Sequence, residues 1–258
     1  MRGQQMMQKS KSSRNPRKAK KPKGSPTLKE PQGSQAPKKS TARQDSRDTR
    51  TDRVVRKVTM KPGTMLNPVP VVLVSCAADG KQNLITIAWT GIVNSEPPMT
   101  YISVRKSRYS HELIRRSGEF VINLATESIA EKVDFCGVRS GRDVDKFAEC
   151  GFTPVPSDQV SAPLVAESPV NLECVVRDVI EYPSHDMFVA EIVCVHGNKN
   201  LFGETGRFCL EEAGLIAYSH GEYFGLKPRP LGRFGYSVMK PKTRRRIRRE
   251  QRNSRKRR

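Results

Sequence analysis

The sequence predicts a mainly β fold: a β-barrel with a few short helices, flanked by disordered basic tails. Apolar runs of strand length recur through the middle of the chain, with turn residues between them. Only two or three segments there have helical spacing, and strands and helices do not alternate as in a parallel α/β sheet. Positive charge is concentrated outside this middle region.

The distribution of charge predicts the domain boundaries. The chain has 258 residues and a formal net charge of +21. Residues 1–57 contain 18 Lys/Arg and 4 Asp/Glu, a net of +14, and residues 240–258 contain 12 Lys/Arg and 1 acid, a net of +11. Residues 58–239 are therefore left with a net charge of −4. They form the predicted globular domain, which is long enough for one well-packed core.

Neither basic tail has the composition of a folded unit. Residues 1–57 are rich in Ser, Lys, Arg, Gln and Pro, with almost no aromatic or branched apolar residue before Val54. Such a segment cannot bury enough apolar surface to offset the entropy of ordering, so we predict disorder. Residues 240–258 have no apolar face beyond Ile247. We expect them to be mostly unfolded in water, although they could become helical against a polyanion.

The first half of the domain is predicted as strands followed by one helix. A buried-type strand at 69–78 and the turn Asp79-Gly80 predict a hairpin. A strand around Ile87, a polar loop at 90–96 and a second strand at 99–104 come next, with Pro97-Pro98 ending the loop. Ser107 is the predicted cap of a helix that stops at Ser117-Gly118, and a strand follows at 119–124.

The second half of the domain contains two further helical patterns and the longest strands. Residues 126–136 have helical spacing, and a polar glycine-containing loop leads into a short helix near 144–150. The acidic residues Asp143 and Asp145 on that loop are predicted to be caps or partners in loop salt bridges. Two long strands are predicted at 170–182 and 186–196, joined by a tight Pro-Ser-His connection.

Cations and hydroxyl groups are concentrated where the second strand leads into the helix. The segment reads Arg105-Lys106-Ser107-Arg108-Tyr109-Ser110. Free backbone N–H groups at a helix start attract anions, and Arg and Lys donate charge-assisted hydrogen bonds to phosphate. These residues therefore predict a phosphate site, the alternative being an ordinary capped helix that binds only water.

Several other classes of protein do not fit the sequence. There is no G-x-G-x-x-G after a first strand and no P-loop. The six cysteines show no C-x-x-C pair and no metal-type spacing, so no metal site is predicted. No apolar run approaches the roughly 18 residues that span a bilayer, and no apolar signal region follows the N-terminus. These features predict a cytoplasmic protein with no membrane association.

Seven segments of the domain are similar, in order, to segments of one known family. Together they cover about residues 58–239 and resemble the flavin reductase-like family, in particular its flavoredoxin-type members. The resemblance implies an FMN-binding split β-barrel and a homodimer with FMN near the subunit interface. The segments are NPVPVVLVSC (67–76), TIAWTGIVNSEPPMTYISVRKSRYSHELI (86–114), GEFVINL (118–124), CGVRSGRDVDKF (136–147), ESPVNLEC (167–174), SHDMFVAEI (184–192) and GLIAYSHGEY (214–223).

The resemblance also implies roles for individual residues. His185 would position the incoming reductant rather than act as a required acid, with a surface or structural histidine as the alternative. For Trp89 the alternative to a flavin contact is a core aromatic. The residues lining the flavin ring and ribityl chain would be Trp89, Thr90, Asn94 and Ser95, and those around the phosphate Lys106, Ser107, Arg108, Tyr109 and Ser110.

The implied activity is transfer of electrons from NADH or NADPH through FMN to a flavin, a metal or a protein acceptor. In such a protein the cofactor performs the chemistry, which suits a sequence without a recognisable triad or carboxylate pair. The basic tails motivate an alternative function, the binding of nucleic acid or another polyanion on an inherited flavin domain. Tails that only improve solubility are the simplest explanation of the same charge.

Overall fold

The computed structural model describes residues 56–256 except residues 228 and 233. The predicted disordered tail of residues 1–57 therefore lies almost wholly outside the described residues. In the last helix, side chains are described for residues 241–247 and 249. No helix in the described part of the chain is both long and apolar enough to cross a membrane.

The described chain is mainly β. Its strands are β1 (Val69–Pro70), β2 (Val72–Ala78), β3 (Lys81–Ile87), β4 (Thr90–Ser95), β5 (Pro98–Arg105), β6 (Glu119–Leu124), β7 (Pro154–Val155), β8 (Leu164–Val165), β9 (Val170–Glu181), β10 (His185–Gly197), β11 (Ile216–Ser219) and β12 (Glu222–Gly225). Its α-helices are α1 (Tyr109–Ser117), α2 (Ala130–Val138), α3 (Lys146–Cys150) and α4 (Pro241–Lys256). Short 3-10 helices occur at Glu127–Ile129, Lys199–Leu201, Leu210–Glu212 and Tyr236–Val238.

A seven-stranded antiparallel sheet forms a split barrel. The strand order is β3-β2-β6-β9-β10-β5-β4. The two edge strands, β3 and β4, follow each other in the chain and are separated only by Ala88 and Trp89. The chain therefore passes directly from one edge of the sheet to the other at this point, and the β4–β5 pairing extends back to Trp89, whose O accepts from Ser103 N at 2.9 Å. The strands β1, β11 and β12 form a smaller sheet, and β7 pairs with β8.

Strand β2 is buried on both of its faces. Val72 and Val74 belong to the apolar cluster inside the barrel. Leu73 belongs to a second cluster, which it shares with Val133 of α2 and Phe147 of α3. Because one face meets the barrel interior and the other meets helices, the strand is apolar at nearly every position rather than at alternate ones. The prediction of a buried strand here is confirmed.

Two predicted turns are confirmed. Asp79 and Gly80 join β2 to β3 with φ values of 52° and 72°. This backbone suits a two-residue antiparallel hairpin, and glycine adopts it without steric cost. Helix α1 ends at Gly118, which has a left-handed backbone and donates its N–H to Ile114 O. Asp145 caps α3 by accepting from the N–H groups of Phe147 and Ala148, as the first of the two alternatives for it predicted.

Three predictions about secondary structure are wrong. The expected polar loop at 90–96 is largely the edge strand β4, whose polar residues suit a strand paired on one side only. Ser107 does not cap α1, because the helix starts at Tyr109 and Arg108 holds the cap position without a side-chain bond. The C-terminal tail, expected to be mostly unfolded, contains the helix α4. We predicted an unfolded tail because this segment lacks an apolar face, but it also contains a long run of residues with good helix propensity.

Candidate functional site

Two cavities meet beside the end of β5 and the start of α1. The larger has a volume of about 410 Å³ and the smaller of about 260 Å³. Ile85, Arg105 and Arg108 line both, so the two form one continuous site. The site lies where β3, β5 and the N-terminal end of α1 come together.

Apolar and aromatic side chains form much of the larger cavity. Ile85 and Ile87 of β3 line it, together with Tyr218 and Tyr223. The two tyrosine rings pack edge to face with their centroids 5.4 Å apart. Tyr223 donates its hydroxyl to Asp134 Oδ1 at 3.0 Å. Burial raises the pKa of Tyr223, and the contact with Asp134 adds to the effect, so the phenol stays protonated at neutral pH.

Trp89 and His185 stack at one wall of the larger cavity. Their ring centroids are 4.4 Å apart with an interplanar angle of 29°. The pairing of β10 with β5 places His185 opposite Arg105, and Ser184 Oγ lies 2.8 Å from His185 Nδ1. Burial lowers the pKa of His185, and the charge of Arg105 lowers it further. The imidazole is therefore neutral at pH 7, and Trp89 remains 45% exposed beside it.

The smaller cavity is strongly cationic. The loop between α2 and α3 lines this cavity through Arg139, Ser140 and Gly141. The loop is tied to the turn before α1, because Arg142 Nη1 donates to Ser107 O at 3.2 Å. The guanidinium of Arg142 also lies 5.1 Å from the centroid of the Tyr109 ring. The residues that line this cavity are Asn83, Ile85, Arg105, Ser107, Arg108, Tyr109, Ser110, Arg139, Ser140, Gly141 and Lys146. Three arginines and one lysine thus surround a small space rich in hydroxyl groups.

Lys146 is a buried cation at this cavity. Its side chain is only 3% exposed, and Nζ donates to Leu84 O and Cys136 O at 2.7 Å each. Burial lowers the pKa of Lys146, while the nearby thiol of Cys136 acts in the opposite direction. Two carbonyl acceptors hold the amine in place, so it is a fixed donor that links β3 to α2.

Asn83 and Gly141 bring β3 and the α2–α3 loop into close contact. Asn83 is 3% exposed and donates from Nδ2 to Ser110 Oγ at 2.8 Å. A Cβ atom at position 141 would collide with the Asn83 side-chain amide. The loop can therefore approach β3 this closely only with glycine at that position.

A methyl group at position 141 tests the importance of that approach. We expect Gly141→Ala to push the loop away from Asn83 and to weaken binding of a phosphate-bearing ligand by about tenfold, or roughly 1.4 kcal/mol. Gly151→Ala is the matched control, since a Cβ there would meet nothing within 4 Å, although its positive φ of 57° costs some stability. Equal ligand affinities for the two variants would show that the close approach is unimportant.

The structure brings together most of the residues predicted to bind phosphate. Ser107, Arg108, Tyr109 and Ser110 all line the smaller cavity. Lys106 does not line it. Its Nζ lies 3.2 Å from Asp186 Oδ1 and 3.6 Å from Glu181 Oε2. Lys106 lies in the turn between β5 and α1, and its side chain extends towards β9 and β10 instead of towards the cavity.

The residues predicted to line the flavin ring are less well grouped. Trp89 lines the larger cavity, but Thr90 donates its hydroxyl to Tyr101 O at 2.7 Å and lines a third cavity of about 970 Å³, which adjoins the larger one at Ala88, Trp89, Ser103 and Tyr218. Asn94 donates to Glu96 O and Pro97 O, and so supports the turn before β5. Ser95 ends β4. The structure does not bring Asn94 and Ser95 to either joined cavity, and their contact with a flavin stays a prediction.

Sequence reasoning missed half of the smaller cavity. Arg139 and Ser140 repeat the chemistry of residues 105–110, a cation close to a hydroxyl, and Gly141 follows them in the same loop. That composition could have identified them. Asn83 and Lys146 gave no comparable signal, since a lone amide on a strand and a lone lysine on a short helix are usually exposed.

Comparisons with known proteins find a matching family and similar chains. The model of the family described as "Flavin reductase like domain" matches residues 64–227. Flavoredoxin of Desulfovibrio vulgaris (Miyazaki F) is similar with a TM-score of 0.66 and 29% identity, covering 70% of this chain and 100% of its own. Flavoredoxin from Methanosarcina acetivorans has a TM-score of 0.65 and 28% identity, covering 72% and 100%. The reductase component of the 4-nitrophenol 4-monooxygenase/4-nitrocatechol 2-monooxygenase of Rhodococcus opacus is 28% identical over 48% of this chain and 63% of its own.

Proposed function

Because the chain belongs to the family of flavin reductase like domains, we propose that it binds FMN and carries electrons from NADH or NADPH to a flavin, a metal or a protein acceptor. One observation carries the proposal: an apolar, aromatic cavity opens into a cationic one at Arg105 and Arg108. FMN has the matching form, with a flat aromatic ring system at one end and a phosphate dianion at the other.

The smaller cavity suits the phosphate of FMN. The guanidinium groups of Arg108 and Arg139 offer several N–H donors each, and Ser107 and Ser140 offer hydroxyls. The N-terminal end of α1, which starts at Tyr109, adds the positive end of the helix dipole. Donors of this kind form charge-assisted hydrogen bonds with a dianion, the stronger class of hydrogen bond in proteins.

The larger cavity suits a flavin ring and the reductant that approaches it. When bound, FMN supplies the chemistry of accepting a hydride and passing electrons on. Ile85 and Ile87 cover apolar surface and exclude water, while Trp89 and His185 form an aromatic wall. In the tautomer in which Nδ1 accepts from Ser184 Oγ, the neutral His185 carries its proton on Nε2 and can donate it in a hydrogen bond that orients the reductant.

A change at His185 tests this positioning role. We expect His185→Phe to keep the stack on Trp89 but to remove the N–H donor. The kcat/KM for the preferred nicotinamide cofactor should fall about tenfold, mostly through KM, because a single neutral hydrogen bond contributes about 1 kcal/mol. FMN affinity should not change. The control is His220→Asn, at a histidine that lines neither of the two joined cavities and whose left-handed backbone asparagine tolerates. Equal kinetics for the two variants would refute the role.

We also propose a homodimer and a cytoplasmic location. The edge strand β4 exposes Ile92 by 72% and Val93 by 52%, and Trp89 lies next to it. An exposed apolar edge strand usually needs a cover, and a second copy of the chain would provide one beside the site. All six cysteines lie in the described part of the chain and are free thiols, which fits a reducing compartment.

The direct test of cofactor identity is a titration of the purified full-length chain with FMN and with riboflavin, which lacks the phosphate. We expect FMN to bind about 100-fold more tightly, because several charge-assisted hydrogen bonds separate the two ligands. Equal affinities would contradict the placement of phosphate in the smaller cavity. Failure of both ligands to bind would contradict the proposed function.

A further inference from the structure

The helix α4 is a concentrated basic element outside the flavin site. Its sixteen residues, PKTRRRIRREQRNSRK, contain nine Lys or Arg and one Glu. The segment 58–239 that precedes it has a net charge of −4. Within residues 58–258 the positive charge is therefore concentrated at the C-terminal end, where this helix lies, and the other basic segment of the chain is residues 1–57.

The basic residues of α4 follow the helical period. Lys or Arg occupies positions 242, 245, 249, 252 and 256, which recur every three or four residues and share one face of the helix. Positions 243, 247, 250 and 254 share the opposite face and hold no basic residue. Lys242, Arg245 and Arg249 are exposed, whereas Thr243 and Ile247 are half-buried. All described cations of this face are exposed, Arg244 and Arg246 on its flanks are exposed as well, and the half-buried side chains lie on the opposite face.

The chemistry of this face fits a polyphosphate duplex better than a membrane. A helix that lies in a membrane surface needs an apolar face, and α4 has only Ile247. Its cations are mostly arginines, whose planar fork matches phosphate oxygens. An α-helix is about 10–12 Å wide and enters the major groove of B-form DNA, which is about 12 Å wide. The deep, narrow major groove of A-form RNA does not offer an α-helix the same seat between the phosphate backbones, which favours DNA.

We propose that α4 binds duplex DNA through its backbone phosphates, with the face of positions 242, 245, 249, 252 and 256 against the duplex. Phosphate contacts carry no sequence information, so the binding has no sequence preference. The flavin domain is then held on DNA by an element that takes no part in cofactor binding. This inference does not depend on the flavin chemistry proposed above.

Two full-length variants with equal net charge test the proposal. In the face variant, Lys242, Arg245, Arg249, Arg252 and Lys256 become Gln. In the matched control, Lys240, Arg244, Arg246, Arg248 and Arg255 become Gln. Affinity for a 20-base-pair DNA duplex of arbitrary sequence is measured by fluorescence anisotropy at several salt concentrations. The same titration is made with an RNA duplex and with phosphatidylserine vesicles, and circular dichroism and the thermal unfolding midpoint check that every variant is folded.

We expect the unmodified chain to bind DNA more tightly than RNA or vesicles. At about 0.1 M salt the face variant should lose about 100-fold in DNA affinity, and its salt slope should be smaller by about 4, since each phosphate contact contributes roughly 0.9 to the slope. The control should lose less than about tenfold. Equal losses in both variants would overturn the face assignment. Salt-insensitive binding, or tighter binding to RNA or vesicles than to DNA, would overturn the proposal.

Discussion

Replacing Arg108 by Gln is expected to weaken FMN binding about 100-fold and to leave riboflavin binding unchanged. Arg108 lines both cavities at their junction, so its guanidinium is placed to contact the phosphate end of the ligand. Losing two charge-assisted hydrogen bonds costs about 3 kcal/mol, which corresponds to that factor. Fluorescence titration with both ligands measures the effect.

Lys106→Gln is the informative control for Arg108. The sequence places both residues in one cationic segment, but the structure pairs Lys106 with Asp186 and Glu181 instead. We therefore expect Lys106→Gln to change FMN affinity by less than about threefold, because the pair that is lost joins a half-exposed amine to the buried Asp186 and neither residue lines the cavity. An equal loss in the two variants would mean that the whole segment surrounds the phosphate, as the sequence first predicted.

The second large effect is expected at Glu173, a buried carboxylate on β9 that lines neither of the two joined cavities. Glu173→Ala should lower the free energy of unfolding by about 3–5 kcal/mol, the usual result of removing one partner from a buried charged network. Glu173 is fully buried. Its two oxygens accept from the N–H groups of Asp158, Gln159 and Val160, and from His196 at 2.5 Å. Without the carboxylate, these donors lose their acceptor.

Urea denaturation measures the change, with Glu191→Ala as control. Glu191 lies on the neighbouring strand β10 and pairs with the half-exposed Arg177 at 2.8 Å. A surface pair of this kind contributes up to about 1 kcal/mol, so the control should remain close to the unmodified chain. A loss at Glu173 no larger than the loss at Glu191 would contradict the capping role of this carboxylate.

Glu173 also makes the free energy of unfolding depend on pH. Burial acts to raise the pKa of Glu173, but the bonds from the Asp158 N–H, His196 and the Gln159 N–H outweigh it, so the pKa is lowered. A group whose pKa is lower in the folded state stabilises the protein above its unfolded pKa, about 4.3 for Glu. That contribution is lost as the pH falls through the folded value. Glu173→Ala should therefore show a weaker loss of stability below pH 4 than the unmodified chain.

The fold was largely predictable because its core strands carry strong local patterns. β2 has apolar residues at nearly every position, and Asp79-Gly80 is a hairpin turn in almost any context. β4 was missed because an edge strand needs only one partner and tolerates polar residues, so its composition resembles that of a loop. The helix α4 was missed because the prediction relied on the lack of an apolar face to bury. A run of arginines has good helix propensity even without such a face.

The site was predictable only where its residues are neighbours in sequence. The segment 105–110 combines cations, hydroxyls and a helix start within six residues. Asn83 and Lys146 join it through the packing of β3 against α2 and α3, which no local pattern encodes. The different roles of Lys106 and Arg108 depend on how the end of β5 is oriented. That orientation follows from strand pairing and not from residue type.

The central claim is that the two joined cavities hold a redox-active FMN. The most direct measurement is the visible spectrum of the purified full-length chain with FMN, recorded without oxygen before and after addition of NADH or NADPH. We predict flavin absorbance that stays with the protein on gel filtration, is released as FMN on denaturation, and is bleached by one or both nicotinamide cofactors. A chain that takes up no FMN, or whose bound FMN is bleached by neither cofactor, would contradict the account.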